Sequence, residues 1–325
     1  MKALHRCILL IFAALFAVSL FGCSGSNSLT AEEKKTSIKV IVKKRNHDYW
    51  AVVQMGAEAA GKEFNVSMNY DGPTDEKDIE GQIRMVNEAI DDKADAIVLA
   101  ASDYTMLVPA AERAIDQKIP VVIIDSNIKS DRMVSFIGTD NVDAGRILGE
   151  SLVEKVGENC SIGVVSFVKG AATAVEREEG FFNAIKKHPG IRVLGMEYCN
   201  SDENLAKQQT EKIINDNPGI DAIVCLNAYS TAGAARAIEG MQKTGDVKLV
   251  GFDSTPEEIS YMEKGVIQSL VVQNPFKMGY LGVKYVLDAL KQIPVEKNIN
   301  TGSTVIDKDN MYLPENQKLV FPFTN

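Results

Sequence analysis

The sequence predicts an α/β protein with two Rossmann-like lobes, each built on a doubly wound parallel sheet. Short β-branched and aliphatic runs alternate with amphipathic helical patterns, and strands that are apolar on both faces fit a parallel sheet covered by helices on each side. This alternation occurs twice, with a break at 134–141. About 290 residues follow the N-terminal segment, enough for two lobes of ordinary domain size. One continuous ten-stranded sheet is the weaker alternative, because each half supplies a complete series.

Ten strands are predicted, five in each half of the chain. The first series covers 38–42, 66–70, 96–100, 121–124 and 134–138. The second series covers 161–167, 191–198, 222–226, 248–252 and 268–272. Helices are predicted at 76–91, 205–216, 229–241 and 278–290, and another begins at residue 51 and packs through Val52, Met55 and Ala59. Periodicity does not assign the tail after 290 to either lobe.

The first 22 residues have the pattern of a secretory signal peptide. A charged start, with Lys2 and Arg6, precedes an apolar run at 8–21. A helix of that length reaches only about 21 Å, short of the roughly 30 Å hydrocarbon core of a bilayer, so a membrane anchor helix is the weaker alternative. The run ends in Leu-Phe-Gly-Cys, which looks like a bacterial lipobox and makes Cys23 the lipidated residue. Residues 23–35 then form a flexible tether.

Composition excludes several classes of function. The net charge is −9 and the pI about 5.1, and the one basic cluster is Lys43 to Arg45, so we expect no nucleic-acid partner. The three cysteines after Cys23 are odd in number and lack CxxC spacing, so neither a disulfide framework nor a metal site is predicted. We expect no cofactor.

Candidate binding residues follow the predicted strands. In open α/β sheets, ligands bind beyond the carboxyl ends of the strands. The segments at those ends are 43–50, 102–103, 125–127, 169–177, 200–202, 227, 253 and 273–274. They are rich in Asp, Asn, Gln and Arg, and they include Tyr49 and Trp50. Polar groups around flat aromatic surfaces suit a small polyhydroxylated ligand, because carboxylates and amides bind hydroxyls while rings cover C–H faces.

Each candidate also has a simpler explanation. Asp125 and Asp253 could be turn residues or helix N-caps, and Asn227 could cap the helix that follows it. Arg177 could form a surface ion pair with a neighbouring glutamate, which stabilises little. His47 could be an exposed loop residue, and the cations before it a solvated charge run. The candidates gain weight together, because all of them follow strands and both lobes would present them to one cleft.

Enzymatic motifs are scarce. The sequence contains no GxSxG, Walker, HExxH or strand-following GxGxxG motif, and its three histidines are too scattered for a catalytic set. A carboxylate pair such as Asp125 and Asp253 could perform acid–base chemistry, and this is the enzymatic alternative. We expect a binding protein, not an enzyme.

At the strand ends the sequence resembles the ribose/galactose-type periplasmic solute-binding proteins, which share their fold with the sugar-sensing core of LacI-type repressors. The motifs are NHDYW at 46–50, IPVVIIDSN at 119–127, FIGTDNVDAGRILGE at 136–150, EREEGFFNAI at 176–185, AIVCLNAYSTAGAARAI at 222–238, VGFDSTPEEI at 250–259 and VVQNPFKMG at 271–279. The resemblance covers essentially the whole mature chain. It implies two lobes joined by three hinge crossings, which close on a sugar or sugar-like ligand and deliver it to an ABC importer.

The resemblance also implies roles for individual residues. Tyr49 and Trp50 match the aromatic pair that stacks on the sugar, and Asp125 matches the carboxylate that binds ring hydroxyls. Arg177 matches the ligand-binding arginine of the second lobe, whose planar fork can reach two oxygens. Asn227, Asp253 and Gln273 match the remaining polar contacts of the family. His47 stands where the ribose binder has an amide side chain, and Lys43 stands where it has a hydroxyl side chain.

Some residues depart from the family pattern. Ser126 stands where many pentose and hexose binders have Arg, and Asn200 and Ser201 replace aromatic residues. Lys43, together with DGPT at 71–74 and GQI at 81–83, is similar to the autoinducer-2 binders of the same superfamily. A more anionic or more oxygen-rich ligand than a neutral sugar therefore stays open.

The resemblance sets the expected domains and partners. Residues 36–138 and 275–302 form the first lobe, and 139–274 and 303–325 form the second, with hinges near 138–141, 274–276 and 301–304. The expected partners are a sugar-like ligand, the permease of an ABC importer and, through the lipid anchor, the outer face of the cell membrane. We expect a monomer.

Two other functions would use the same fold. A LacI-type repressor needs an N-terminal helix-turn-helix, where this chain has a signal peptide. A sensory binding protein reporting to a chemoreceptor or membrane kinase would use the same binding chemistry, and gene neighbourhood separates it from an importer component.

Overall fold

A computed structural model of the protein describes residues 35–323. The predicted signal peptide, the lipidation site Cys23 and the tether up to residue 34 lie outside the described residues. No helix in the described range is both long and apolar enough to cross a membrane.

The first lobe is built on a six-stranded parallel sheet in the order β11-β5-β4-β3-β1-β2. Its strands are β1 (Ser37–Ile41), β2 (Ser67–Asp71), β3 (Ala96–Leu99), β4 (Val121–Ile124), β5 (Phe136–Gly138) and β11 (Asn298–Asn300). Its helices are α1 (Asp48–Glu63), α2 (Ile79–Asp91), α3 (Val108–Asp116) and α9 (Pro275–Leu290). Every residue of the central strands β3 and β4 is buried, as a sheet with helices on both faces requires.

The second lobe repeats this plan in a second six-stranded sheet, with the order β12-β10-β9-β8-β6-β7. Its strands are β6 (Ser161–Ser166), β7 (Arg192–Tyr198), β8 (Ala222–Cys225), β9 (Lys248–Phe252), β10 (Ser269–Gln273) and β12 (Ser303–Asp307). Its helices are α4 (Asn141–Val156), α5 (Ala172–Ile185), α6 (Glu203–Asp216), α7 (Ala228–Gly240), α8 (Pro256–Glu263) and α10 (Gln317–Val320). Only β12 runs antiparallel to its neighbour in this sheet.

The two-lobe prediction is confirmed, and the continuous-sheet alternative is wrong. The chain passes between the lobes three times, from β5 to α4, from β10 to α9, and from β11 to β12. Helix α4 packs on α5 and on the second sheet, whereas α9 packs on α1 and on the first sheet. Three chain segments therefore join the lobes.

The sequence prediction erred mainly at helix starts and in the tail. Helix α1 begins at Asp48 because the His47 side chain caps it, not at residue 51. Its buried face includes Val53, Ala57 and Ala60, whereas Met55 and Ala59, which were expected to pack, are half-buried. Strands β11 and β12 were not predicted, because the first is only three residues long and the burial of the second is irregular.

Close helix packing in the second lobe sets the position of a candidate site residue. Helices α4 and α5 meet at two glycines, Gly145 and Gly180. A Cβ atom on Gly145 would lie 2.2 Å from the carbonyl oxygen of Arg177, and one on Gly180 would lie 1.9 Å from that of Val142. Since both obstacles are backbone atoms, neither glycine can be enlarged without moving the helices apart.

We predict that Gly145→Ala lowers the free energy of unfolding by about 2 kcal/mol, because it forces α4 away from the backbone of Arg177. The control is Gly240→Ala at the end of α7, where a Cβ meets no atom within 4 Å and alanine should leave stability unchanged or slightly raised. Urea-induced unfolding of both variants measures the difference. Equal stability of Gly145→Ala and the wild-type protein would show that the helix contact is loose.

Candidate functional site

The strand ends of both lobes converge on one cavity of about 350 Å³. Its lining residues are Lys43, Tyr49, Trp50, Glu76, Asp125, Phe167, Thr173, Arg177, Asn227, Ala228, Tyr229, Asp253 and Gln273. The structure therefore brings together every ligand-binding residue expected from the sequence except His47. Among residues 35–323, no group of three or more His, Cys, Asp or Glu side chains could hold a metal ion.

Asp125 lies directly after β4 and is held by two donors of the first lobe. Tyr49 Oη donates to its Oδ1 at 2.7 Å, and Lys43 Nζ lies 2.9 Å from its Oδ2. Lys43 also donates to Ser126 Oγ. Burial would raise the pKa of Asp125, but the charge and hydrogen bond of Lys43 outweigh it and hold this pKa below its usual range. Asp125 is thus a buried, ionised carboxylate.

Asp253 occupies the corresponding position of the second lobe, directly after β9. Its Oδ1 accepts a hydrogen bond from Gln273 Nε2 at 2.8 Å, and its Oδ2 accepts one from the Ala228 amide at 3.0 Å. Burial raises the pKa of Asp253, and the nearby guanidinium of Arg177 offsets this only in part. The two carboxylates therefore differ in the direction of their pKa shifts, because one has a cation within contact distance and the other has amides.

Both aspartates have left-handed backbone conformations. The φ angle is +61° at Asp125 and +74° at Asp253. Aspartate tolerates this region better than most residues, but it remains uncommon outside glycine, and such conformations cluster at functional sites. Neither residue is the N-cap of a helix, so this part of the simpler explanation is wrong.

Arg177 is buried in α5 and fixed on three sides. Its Nε donates to Asn141 Oδ1 at 2.9 Å, and its Nη1 donates to the Leu226 carbonyl at 2.8 Å. The guanidinium lies over the Phe252 ring, 4.2 Å from its centroid. The ion-pair explanation named Glu178 or Glu179, but Arg177 forms an ion pair with neither, and Glu178 instead accepts hydrogen bonds from two hydroxyls. These bonds leave Nη2 of Arg177 as a donor for a ligand.

Tyr49 and Trp50 form adjacent walls of the cavity. Their ring centroids lie 5.1 Å apart with an interplanar angle of 89°. Because the rings are perpendicular, they cannot present parallel faces to the same side of a ligand. Trp50 is 2% exposed and offers a flat apolar surface, whereas the hydroxyl of Tyr49 is engaged with Asp125. The pair therefore combines one stacking surface with one positioning residue.

Asn227 both caps a helix and lines the cavity. Its Oδ1 accepts a hydrogen bond from the Ser230 amide at 2.9 Å in the first turn of α7. Its Nδ2 donates to Ser201 Oγ at 3.3 Å. The capping explanation is therefore confirmed for Oδ1, and a contact of Asn227 with a ligand stays a prediction.

His47 lies at the rim of the cavity and is not part of its lining. Its Nδ1 accepts a hydrogen bond from the Tyr49 amide at 3.2 Å, which caps α1. Its ring packs on the Tyr229 ring with centroids 4.0 Å apart, and its Nε2 lies 3.7 Å from Glu203 Oε1. His47 thus connects the first lobe with the second instead of contacting the cavity.

A buried glutamine fixes the strand ends of the first lobe. Gln82 Nε2 donates to the carbonyls of Val42 at 3.1 Å and Ala100 at 2.8 Å, and its Oε1 accepts from the Ser102 amide. It therefore ties together the ends of β1 and β3. Gln82 was one of the residues that resembled the autoinducer-2 binders, and here its polar atoms are used within the protein.

Five lining residues were not among the predicted ligand contacts: Glu76, Phe167, Ala228, Tyr229 and Thr173, the last of which lies in the predicted strand-end segment 169–177. Glu76 was placed in a predicted helix, although it lies in the loop that follows β2. The segment after that strand was not included among the strand ends, and the same rule would have found it. The sequence assigns Phe167 to a strand and Tyr229 to a helix. In the structure Phe167 is the first residue after β6, and Tyr229 is the second residue of α7.

The sequence matches the periplasmic binding protein domain family over residues 38–293. A solute-binding protein of an ABC transporter from Agrobacterium vitis, solved with bound D-fucose, is 36% identical, with a TM-score of 0.85 over 88% of this chain and 100% of that one. A carbohydrate solute-binding protein from Agrobacterium radiobacter in complex with D-arabinose is 31% identical, with a TM-score of 0.85 over 89% and 99% of the two chains. The D-allose-binding periplasmic protein of Escherichia coli is 28% identical over 79% of this chain and 86% of its own length.

We predict that Lys43→Met lowers the free energy of unfolding by about 3–5 kcal/mol at pH 7, because it leaves the buried charge of Asp125 without its cation. In the wild-type protein the lowered pKa of Asp125 contributes stability that is present above the ordinary carboxyl pKa of about 3.9 and is lost as the pH falls through the lowered value. In the variant, burial raises this pKa against only the hydrogen bond of Tyr49 and the charge of Arg177, so the stability difference should shrink as the pH approaches 4.

Urea unfolding at pH 7 and pH 4 tests this, with Arg45→Met as the control, since Arg45 is half exposed and lies 3.6 Å from Asp71. A Lys43→Met penalty that is the same at both pH values would contradict the pairing with Asp125.

Proposed function

This chain belongs to the periplasmic binding protein domain family, and from that membership we propose that it binds a sugar or sugar-like polyhydroxylated molecule between its lobes. The observation that carries the proposal is the cavity, where carboxylates from matching strand ends of both lobes face an arginine, an amide and a flat indole ring. Solved relatives with bound monosaccharides support the choice of ligand class.

The lining groups have complementary tasks in this proposal. The unused lone pairs of Asp125 and Asp253 accept hydrogen bonds from ring hydroxyls, and Nη2 of Arg177 donates to ring or hydroxyl oxygens. Trp50 covers an apolar C–H face of the ring. Since Lys43 is engaged with Asp125 and Ser126, it acts by keeping this carboxylate ionised and in place. This arrangement favours a neutral polyol over the anionic ligand that the sequence left open.

We propose that ligand binding favours lobe closure, because only the closed state makes every contact at once. A chain of hydrogen bonds supports this coupling. Thr139 Oγ1 donates to Gln273 Oε1 at 2.9 Å, and Gln273 Nε2 donates to Asp253. Thr139 follows β5 and Gln273 ends β10, so two of the three crossing segments are bonded to each other and to a proposed ligand contact.

The expected boundaries become part of the proposal. The first lobe comprises 36–138 and 275–302 and the second 139–274 and 303–325, with hinges near 138–141, 274–276 and 301–304. Each lies at or beside a place where the chain passes from one sheet to the other.

We further propose that the protein is the binding component of an ABC importer outside the cytoplasm. Its relatives are solute-binding proteins of such transporters, which supports this role. Lipidation at Cys23 would hold the carrier beside its permease, and the permease would contact exposed faces at the cleft mouth. No turnover of the ligand is proposed, since both oxygens of Asp125 are already bonded to Tyr49 and Lys43.

A thermal-shift screen tests the binding proposal. The panel contains D-fucose, D-arabinose, D-allose, D-ribose and D-galactose, and at least one sugar should stabilise the folded protein by about 2.7 kcal/mol at 100 times its Kd. Asp125→Ala and Arg177→Ala should abolish the shift, because each removes a contact from one lobe. The control is Arg146→Ala, whose exposed side chain pairs with Asp143 and Glu150. If both site variants keep the wild-type thermal shift, the assignment of Asp125 and Arg177 as ligand contacts is wrong.

The affinity for the sugar should depend on pH through Asp253. Its pKa is raised by burial, so this carboxylate gains its proton at a higher pH than an ordinary aspartate and then loses acceptor capacity for ligand hydroxyls. We predict that affinity falls as the pH drops through this raised pKa, while Asp125, whose pKa is lowered, stays ionised. Titrations from pH 8 to pH 4, followed by the fluorescence of the single tryptophan, Trp50, measure the effect. The Asp253→Asn variant should bind the sugar more weakly, and its affinity should no longer depend on pH. An unchanged pH profile in this variant would show that Asp253 is not the source of the pH dependence.

A further inference from the structure

One carboxylate of the cavity has no cationic partner. Lys43 lies 2.9 Å from Asp125, and Arg177 is close enough to Asp253 to act on its pKa. Glu76 is 8% exposed, and no basic side chain of the described residues lies within ion-pair distance of it. The lining thus contains two basic side chains and three carboxylates, and the surplus falls on Glu76.

Glu76 is held by hydrogen bonds from both lobes. Trp50 Nε1 donates to its Oε1 at 3.3 Å, and Ser201 Oγ of the second lobe donates to its Oε2 at 2.7 Å. Ser201 also has a left-handed backbone, with φ at +54°. Each carboxylate oxygen has two acceptor sites, so both oxygens can accept one further hydrogen bond. Glu76 is thus a fixed acceptor beside the indole ring.

A second polar group at this end is buried without a partner. Tyr229 is 4% exposed and lines the cavity, and its hydroxyl makes no hydrogen bond of ordinary length and angle with the described residues, although the indole N–H of Trp50 is close enough to act on its pKa. A buried hydroxyl without a partner is costly, and in a native structure it calls for an explanation. A ligand in the cavity supplies one, because the hydroxyl can both donate and accept.

We propose that Glu76 and Tyr229 form a selective end of the cavity that binds a hydroxyl or ammonium group of the ligand and rejects a carboxylate. The inference rests on the proposed sugar binding and narrows its ligand to neutral or amino sugars. An acidic sugar would bring its carboxylate close to Glu76 inside a buried site, where like charges repel more strongly than in water. Lys43 offsets this repulsion only in part, since two of the three hydrogens of its ammonium are already bonded to Asp125 and Ser126.

The test compares sugars that differ in charge on one skeleton. D-Galactose, D-galacturonate and D-galactosamine form one set, and D-glucose, D-glucuronate and D-glucosamine form another. Trp50 is the only tryptophan and its indole nitrogen bonds to Glu76, so its fluorescence reports binding at this end directly. In any set whose neutral sugar binds the wild-type protein, the affinity for the acidic sugar should be at least about tenfold lower than the affinity for the neutral sugar. Equal or tighter binding of the acid overturns the inference.

Glu76→Gln removes the charge and keeps the shape, and it should narrow the ratio of acid to neutral affinity by about tenfold. The matched control is Glu178→Gln. Glu178 is a half-buried carboxylate that, like Glu76, accepts two hydrogen bonds, from Ser166 and Tyr198, but it does not line the cavity. This variant should keep the wild-type ratio. An unchanged ratio in Glu76→Gln, or an equal change in both variants, shows that Glu76 is not the source of selectivity.

Tyr229→Phe provides a readout that does not depend on the folding of Glu76→Gln. Removing a buried hydroxyl without a partner should raise the melting temperature of the ligand-free protein. It should also lower the affinity for the neutral sugar about three- to tenfold. Unchanged affinity for the sugar contradicts a contact with the ligand. If no sugar of either set binds the wild-type protein, the proposed function itself fails; binding without charge selectivity refutes only this inference.

Discussion

The contact on which the site depends is the buried ion pair of Lys43 and Asp125. A carboxylate cannot stay ionised in the interior without a cation and hydrogen bonds, since the cost of removing its hydration exceeds what unpaired burial can return. Asp125 obtains both from one turn, because Lys43 follows β1 and Tyr49 lies in the first turn of α1. The order of the strands places β3 between β1 and β4. The turn therefore reaches across one strand to make the pair.

The second lobe solves the same problem with different chemistry. Asp253 has the same strand-end position and the same left-handed backbone as Asp125, yet its direct partners are the Gln273 side chain and the Ala228 amide. Neutral donors satisfy its oxygens without cancelling its charge, so burial raises its pKa where that of Asp125 is lowered. Two repeats of one fold thus present carboxylates that respond in opposite directions to pH.

Much of the fold was predictable because its signals are local. Buried parallel strands are apolar on both faces, so the central strands of the two main series could be predicted from their residue pattern. The largely exposed edge strands β2 and β7 could be predicted only from their place in the alternation of strands and helices. Strands β11 and β12 could not, because their pairing partners lie far away in the chain and short strands leave no periodic pattern. The strand-end rule predicted most of the cavity lining and covers Glu76 as well when it is applied after β2, but the hydrogen bond between Glu76 and Ser201 of the other lobe could not be predicted from sequence spacing.

The basic residues in the turn from Lys43 to Trp50 have different surroundings. Lys43 is buried against Asp125, whereas Arg45 is half exposed, as a solvated charge would be. Lys44 was expected to be solvated too, but its Nζ lies 4.5 Å from the centroid of the Tyr229 ring. His47 packs on the same ring. Tyr229 therefore contacts two first-lobe side chains and also lines the cavity, so one ring takes part both in the contact between the lobes and in the proposed ligand site.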